Sequence, residues 1–145
     1  MHKIDHKQAY AFLRRFFSAM NAWERRCEEF MPGIESGKLD YESVKQELIA
    51  EFNALADIYF APTASRLRVR KNTYFYQMPP EYDPELERIV SHVPSKDSLL
   101  INTVCSHGFC ESHQYTIVAI GSQDDLRIQK KLQLLPDGST IKAIL

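Results

Sequence analysis

DYESVKQELIAEFNALADIYFAPTASRLRVR, residues 40–70, is the stretch on which the fold turns. Up to residue 60, Tyr41, Val44, Leu48, Phe52, Leu55 and Tyr59 recur every three or four positions, the spacing of one helix face. Asp40 stands where an N-cap belongs, and Ala61-Pro62 ends the helix, because a residue before proline is pushed out of the α region. From residue 66 the period falls to two. Leu67 and Val69 alternate with Arg66, Arg68 and Arg70, the pattern of a half-buried strand with a basic outer face.

Upstream of that switch, Leu13, Phe16, Phe17, Met20, Trp23, Cys27 and Phe30 form a second helical stripe, with Arg14, Arg15, Asn21, Arg25 and Glu28 between them. Asp5 and Gln8 make a capping box, and Pro32-Gly33 supplies the stop. The expected helices are 5–31 and 39–60. Downstream, strands are predicted over 73–78, 87–93, 98–106, 111–121, 126–134 and 139–144. Turn residues separate them, namely Pro79-Pro80, Pro94 to Asp97, His107-Gly108, Gly121 to Asp125 and Pro136-Asp137-Gly138. Connections this short make consecutive strands antiparallel neighbours. The expected architecture is a single α+β domain, residues 1–145, with two N-terminal helices on the concave face of a curved antiparallel sheet of about six strands.

The 145 residues are 44% hydrophobic and 26% charged, enough to bury a core and too apolar for global disorder. Eighteen Lys and Arg against nineteen Asp and Glu give a net charge of -1, which argues against coating nucleic acid or an anionic membrane. The first twenty residues include Lys3, Asp5, Lys7, Arg14 and Arg15, which breaks up any secretory apolar run. With three cysteines, an odd number, the chain is expected to be cytoplasmic with free thiols.

Cys105, His107, Cys110 and His113 offer the two thiolates and two imidazoles of a structural zinc site. All four lie on one hairpin, whose alternation should point them to opposite faces, so no metal is expected there. Cys27 reads as a small buried hydrophobe. No Gly-x-Ser-x-Gly elbow, phosphate-binding glycine loop or His-Glu-x-x-His occurs, and no catalytic residue is assigned. Acid-base chemistry in an interior pocket would draw on Tyr10, Asp57, Tyr74, Tyr76 and His92. Two charge clusters remain, a basic one at Arg66, Arg68, Arg70 and Lys71 and an acidic one at Glu81, Asp83, Glu85 and Glu87. Complementary patches of this kind orient protein docking, and Tyr82, between rigid prolines, reads as an exposed contact residue of a pre-organised loop.

The order of two helices, a proline-rich connector and successive antiparallel strands resembles the nuclear transport factor 2-like, cystatin-like cone. The run Tyr82-Asp83-Pro84-Glu85-Leu86-Glu87-Arg88-Ile89-Val90-Ser91, then Thr103, Tyr115-Thr116-Ile117-Val118 and Leu126-Arg127-Ile128-Gln129-Lys130-Lys131, is most similar to the bacterial immunity-protein branch of that superfamily. The resemblance implies a cytoplasmic protein that neutralises a cognate toxin domain through protein contact and needs no cofactor, as monomer or homodimer. The alternative within the superfamily is an isomerase- or cyclase-type enzyme using the cone pocket. Eight Phe and seven Tyr, several on the two helices, favour a plugged cone over a roomy one.

Overall fold

Asp5 and Asp40 open the two helices. In a computed structural model, which describes residues 3–64, 82–106, 111–121 and 125–142, Asp5 accepts from the Lys7 amide at 3.0 Å and Asp40 from the Ser43 amide at 3.1 Å. Each side chain thereby satisfies an amide that has no partner within its helix. Helix α1 runs His6–Glu35 and α2 Tyr41–Tyr59. The expected stop at Pro32-Gly33 does not end α1, which carries one further turn. Proline removes a single intrahelical bond, and the real stop is Gly37 at φ +77°, a conformation glycine adopts without steric penalty. Gly33 instead lets Leu39 lie directly against the helix, where a Cβ would clash with that side chain.

The α1 stripe is buried as its spacing predicts, from Ala9 and Phe12 through Phe16, Phe17 and Met20 to Trp23 and Cys27. On α2 the buried residues are Val44, Leu48, Phe52 and Ala56, whereas Tyr41, expected in the stripe, is 45% exposed under the Lys45 ammonium. Two contacts tie the helices together. Trp23 donates its indole N–H to the Leu48 carbonyl at 2.9 Å, and Arg26 reaches Glu51 through two hydrogen bonds of 2.6 and 3.2 Å.

Five strands follow, β1 (Glu87–Ser95), β2 (Ser98–Cys105), β3 (Ser112–Ala119), β4 (Leu126–Leu134) and β5 (Thr140–Lys142), in the antiparallel order β1-β2-β3-β4-β5. Pro94, expected in a turn, lies in β1 opposite Leu99. It is tolerated on an outer strand because its missing N–H breaks no inner ladder. The predicted strands at 66–70 and 73–78 fall outside the described residues. The sheet curves around the helices, with α1 over β1 and β2 and α2 over β4. At the end of α2 the chain returns to the sheet, where Phe60 bridges Ile128 and the Ala61 amide donates to the Ile128 carbonyl at 2.9 Å.

Two β-bulges set what the strands present. The β1 register skips between Ile89 and Ser91, so Val90 and Ser91 both point away from the helices and His92 points toward them. On β4, Ile117 pairs Ile128 while Thr116 pairs Lys130, so Gln129 is the extra residue and Lys131, opposite Tyr115, turns inward. A bulge re-aims side chains in this way because each added residue shifts the two-residue alternation by one step.

Candidate functional site

The inward turn of Lys131 creates a polar cluster inside an otherwise aromatic core. Its ammonium, 2% exposed, donates to the Tyr82 hydroxyl at 2.9 Å and lies 4.5 Å from the Tyr82 ring centroid. The Tyr115 ring is 5.7 Å away on the same ammonium. At its other end Tyr82 donates its backbone N–H to Glu24 of α1 at 3.2 Å, and that carboxylate is fully buried. Phe16 and Phe17 close over the Tyr82 ring at 5.3 and 6.2 Å. A buried cation needs compensating charge, and the carboxylate that feels the Lys131 charge is Glu87 of β1.

Next to it on the inner sheet face, Glu87 accepts from the Thr103 hydroxyl at 2.7 Å. Its Oε1 is 3.5 Å from His113 Nδ1, and His113 Nε2 is 3.3 Å from Glu111 Oε2. Burial works against the charged form of Glu87, but the His113 ring at 3.5 Å, the Thr103 hydroxyl and the Lys131 ammonium outweigh it and hold the carboxyl below its usual range. Tyr82, Glu87, Thr103, His113 and Lys131 are each no more than 7% exposed. What the cluster does is fix the loop. Tyr82 is its anchor, and the turn beyond it is closed by Glu85 N–H donating to Asp83 Oδ1 at 3.0 Å and Glu87 N–H donating to the Asp83 carbonyl at 2.8 Å.

Tyr82 is therefore not the exposed contact expected from the sequence. It is 1% exposed, because a ring with a hydroxyl at its tip is suited to plug an apolar core and meet a buried cation. Asp83 is half-buried and Glu85 exposed on that loop, whereas Arg66, Arg68, Arg70, Lys71 and Glu81 lie outside the described residues. Of the pocket candidates, Tyr10 and His92 do meet, hydroxyl to Nδ1 at 2.6 Å, and His6 stacks on His92 at 4.5 Å. Asp57 is exposed on α2, to the side of the buried stripe that carries Phe52 and Ala56. Tyr74 and Tyr76 are outside the described residues. A depression of about 210 Å³ on the α1 surface is lined by Gln8, Ala11, Phe12, Arg15 and Leu126.

Cys105 and His113 share the inner face, against the expectation that alternation separates them. The β2–β3 register sets Thr103 opposite His113, and residues facing each other across antiparallel strands lie on one side of the sheet. His113 turns its ring nitrogens to Glu87 and Glu111. His107 and Cys110 are outside the described residues, and among those described no three His, Cys, Asp or Glu side chains gather as a metal site. Nor, among them, is any helix long and apolar enough to cross a membrane.

This element order agrees with the comparison to known families. A family model described as "NTF2 fold immunity protein" matches residues 8–143. The chain belongs to that family. No curated protein and no solved structure matches it. In this member of the NTF2 fold immunity family, the interior cluster anchors the loop before β1 through Tyr82. Sequence reasoning missed Glu24 and Lys131 and gave two others different roles, Glu87 on a charged surface patch and His113 as a weighed zinc ligand, whereas both are buried beside each other. The one signal for Lys131 was a pair of adjacent lysines breaking the alternation begun at Leu126 and Ile128.

Proposed function

We propose that this protein binds a cognate bacterial toxin domain and neutralises it by protein-protein contact, acting as a binding protein rather than an enzyme. The observation that carries the proposal is the family match over residues 8–143. The packing supports it: Phe16, Phe17, Phe52, Phe60, Tyr82 and Tyr115 occupy the space between helices and sheet, each at most 1% exposed. Recognition is then a matter of the outer surface. In this reading the acidic loop with Asp83 and Glu85, together with the basic sequence Arg66, Arg68 and Arg70, supplies polar contacts that orient the partner. In this reading the protein works in the bacterial cytoplasm, without a cofactor, as a monomer or a homodimer.

The test is co-expression with the C-terminal domain of the protein encoded in the adjacent reading frame. Survival of cells carrying both, death of cells carrying the toxin domain alone, and co-purification of the two chains are expected. Death in both strains, with no complex recovered, would remove the reading.

A further inference from the structure

The helices cover one face of the sheet and leave the other uncovered among the described residues. Four rows cross it in register. Ser95, Ser98, Val118 and Arg127 form the first; Val93, Leu100, Thr116 and Lys130 the second; Ser91, Asn102, Gln114 and Leu132 the third; Arg88, Val104, Ser112 and Leu134 the fourth. Val90 at the bulge and Val93 in the second row are 49% and 50% exposed. The third row is already hydrogen-bonded within itself, Asn102 Nδ2 donating to Ser91 Oγ at 2.9 Å and Gln114 Nε2 to Asn102 Oδ1 at 3.0 Å. Side chains tied down in advance lose little rotamer freedom when a partner arrives.

Charge distinguishes this face from the rest of a molecule whose net charge is only -1. Among the described residues its outward strand positions hold Arg88, Arg127 and Lys130 and no Asp or Glu. Arg127 is engaged by Asp125. Arg88 and Lys130 are exposed, and neither makes an ion pair among the described residues. They are separated by three strand spacings and four residues of rise, so about 20 Å apart, a span that one protein footprint of about 800 Å² per partner takes in. A small ligand would not reach both.

Resting on the toxin-binding reading above, we propose that this uncovered sheet face is the docking surface, and that it receives an acidic patch of the toxin domain. The apolar residues Val90, Val93, Leu100 and Val104 flank the Ser91–Asn102–Gln114 ladder, which supplies oriented amides, and Arg88 and Lys130 steer from opposite sides. A second copy of this chain fits less well, because it would bring the same cations to meet these.

The experiment measures binding kinetics of the purified toxin domain from the adjacent reading frame at low and at physiological salt. Three proteins are compared: wild type, Arg88→Glu/Lys130→Glu, and Arg14→Glu/Lys38→Glu, which makes the same charge change on the helix side. The sheet-face reversal should slow association by about tenfold or more at low salt and flatten its salt dependence, while the helix-side control stays within about twofold of wild type. Thermal melts accompany every variant, and Arg88→Gln/Lys130→Gln replaces the reversal if that protein fails to fold. Equal association of the sheet-face and helix-side variants would overturn the docking face while leaving the toxin-binding reading intact, provided wild type still binds and protects. A wild-type dimer that persists in the complex and is split by Val93→Arg would overturn it as well, since a second copy would then occupy the face. If wild type itself neither binds nor protects, both readings fall.

Discussion

Replacing Lys131 by methionine isolates the energetics of the buried cluster, because methionine keeps much of the side-chain volume and removes the charge. In the wild type the ammonium is 2% exposed, donates to the Tyr82 hydroxyl and helps hold Glu87 ionised. In the variant a buried carboxylate loses its nearby cation and the Tyr82 hydroxyl loses its donor. Removing one member of a buried charge pair destabilises by about 3–5 kcal/mol, and at the lower figure, about 3 kcal/mol, the melting temperature of a chain this size falls by roughly 6–12 °C. The deficit should depend on pH. Without Lys131 the Glu87 carboxyl protonates more readily, so the gap between variant and wild type narrows as pH falls through the carboxylate range and Glu87 becomes neutral in both. Circular dichroism melts at pH 7 and about pH 4 read this directly. Adding Glu87→Gln to the methionine variant should recover part of the loss at pH 7. A Lys131→Met protein that melts within about 2 °C of wild type at pH 7 would refute the reasoning, because the interior charge would then be compensated by other means.

The other predictions concern the scaffold. Phe52→Ala, at a fully buried position, should lower stability by about 3–5 kcal/mol in urea melts through the cavity it leaves. Asp40→Ala removes the α2 cap and should lower stability by about 1 kcal/mol in the same assay, with α2 fraying first in hydrogen exchange. The lowered Glu87 pKa contributes stability that is fully present above the ordinary glutamate value of 4.5 and is lost as pH drops through the lowered one. A melting-temperature profile should therefore fall on the acid side, and Glu87→Gln should flatten that limb.

The helices and the strand order were legible because their signals are local. The α1 stripe and both aspartate caps follow from spacing and side-chain chemistry within a few residues. The candidate site was legible only in fragments. Tyr10 and His92 were named and do meet, but the sequence offers no sign that a bulge at Val90 aims His92 inward. Tyr82 was identified as a key loop residue and given the wrong surroundings, since a tyrosine between prolines looks the same whether it faces water or a lysine arriving from β4, 49 positions away. Lys131 was hidden for a similar reason. Strict alternation from Ile128 would turn Lys130 inward and Lys131 outward, and only the cross-strand register shows the reverse.

The bulged residues also bear on how this chain can change length. Val90 and Gln129 each sit outside the pairing, two residues facing one across the ladder. Losing either would close the ladder without altering which face any other residue occupies: Ile128 would stay inward, Lys130 outward and Lys131 inward. Such a deletion, invisible to the hydrophobic pattern, would straighten the strand and open the curl of the sheet over Phe16 and Phe17. In this fold, then, shape and core identity can drift separately through single-codon gains and losses at positions that touch no core side chain.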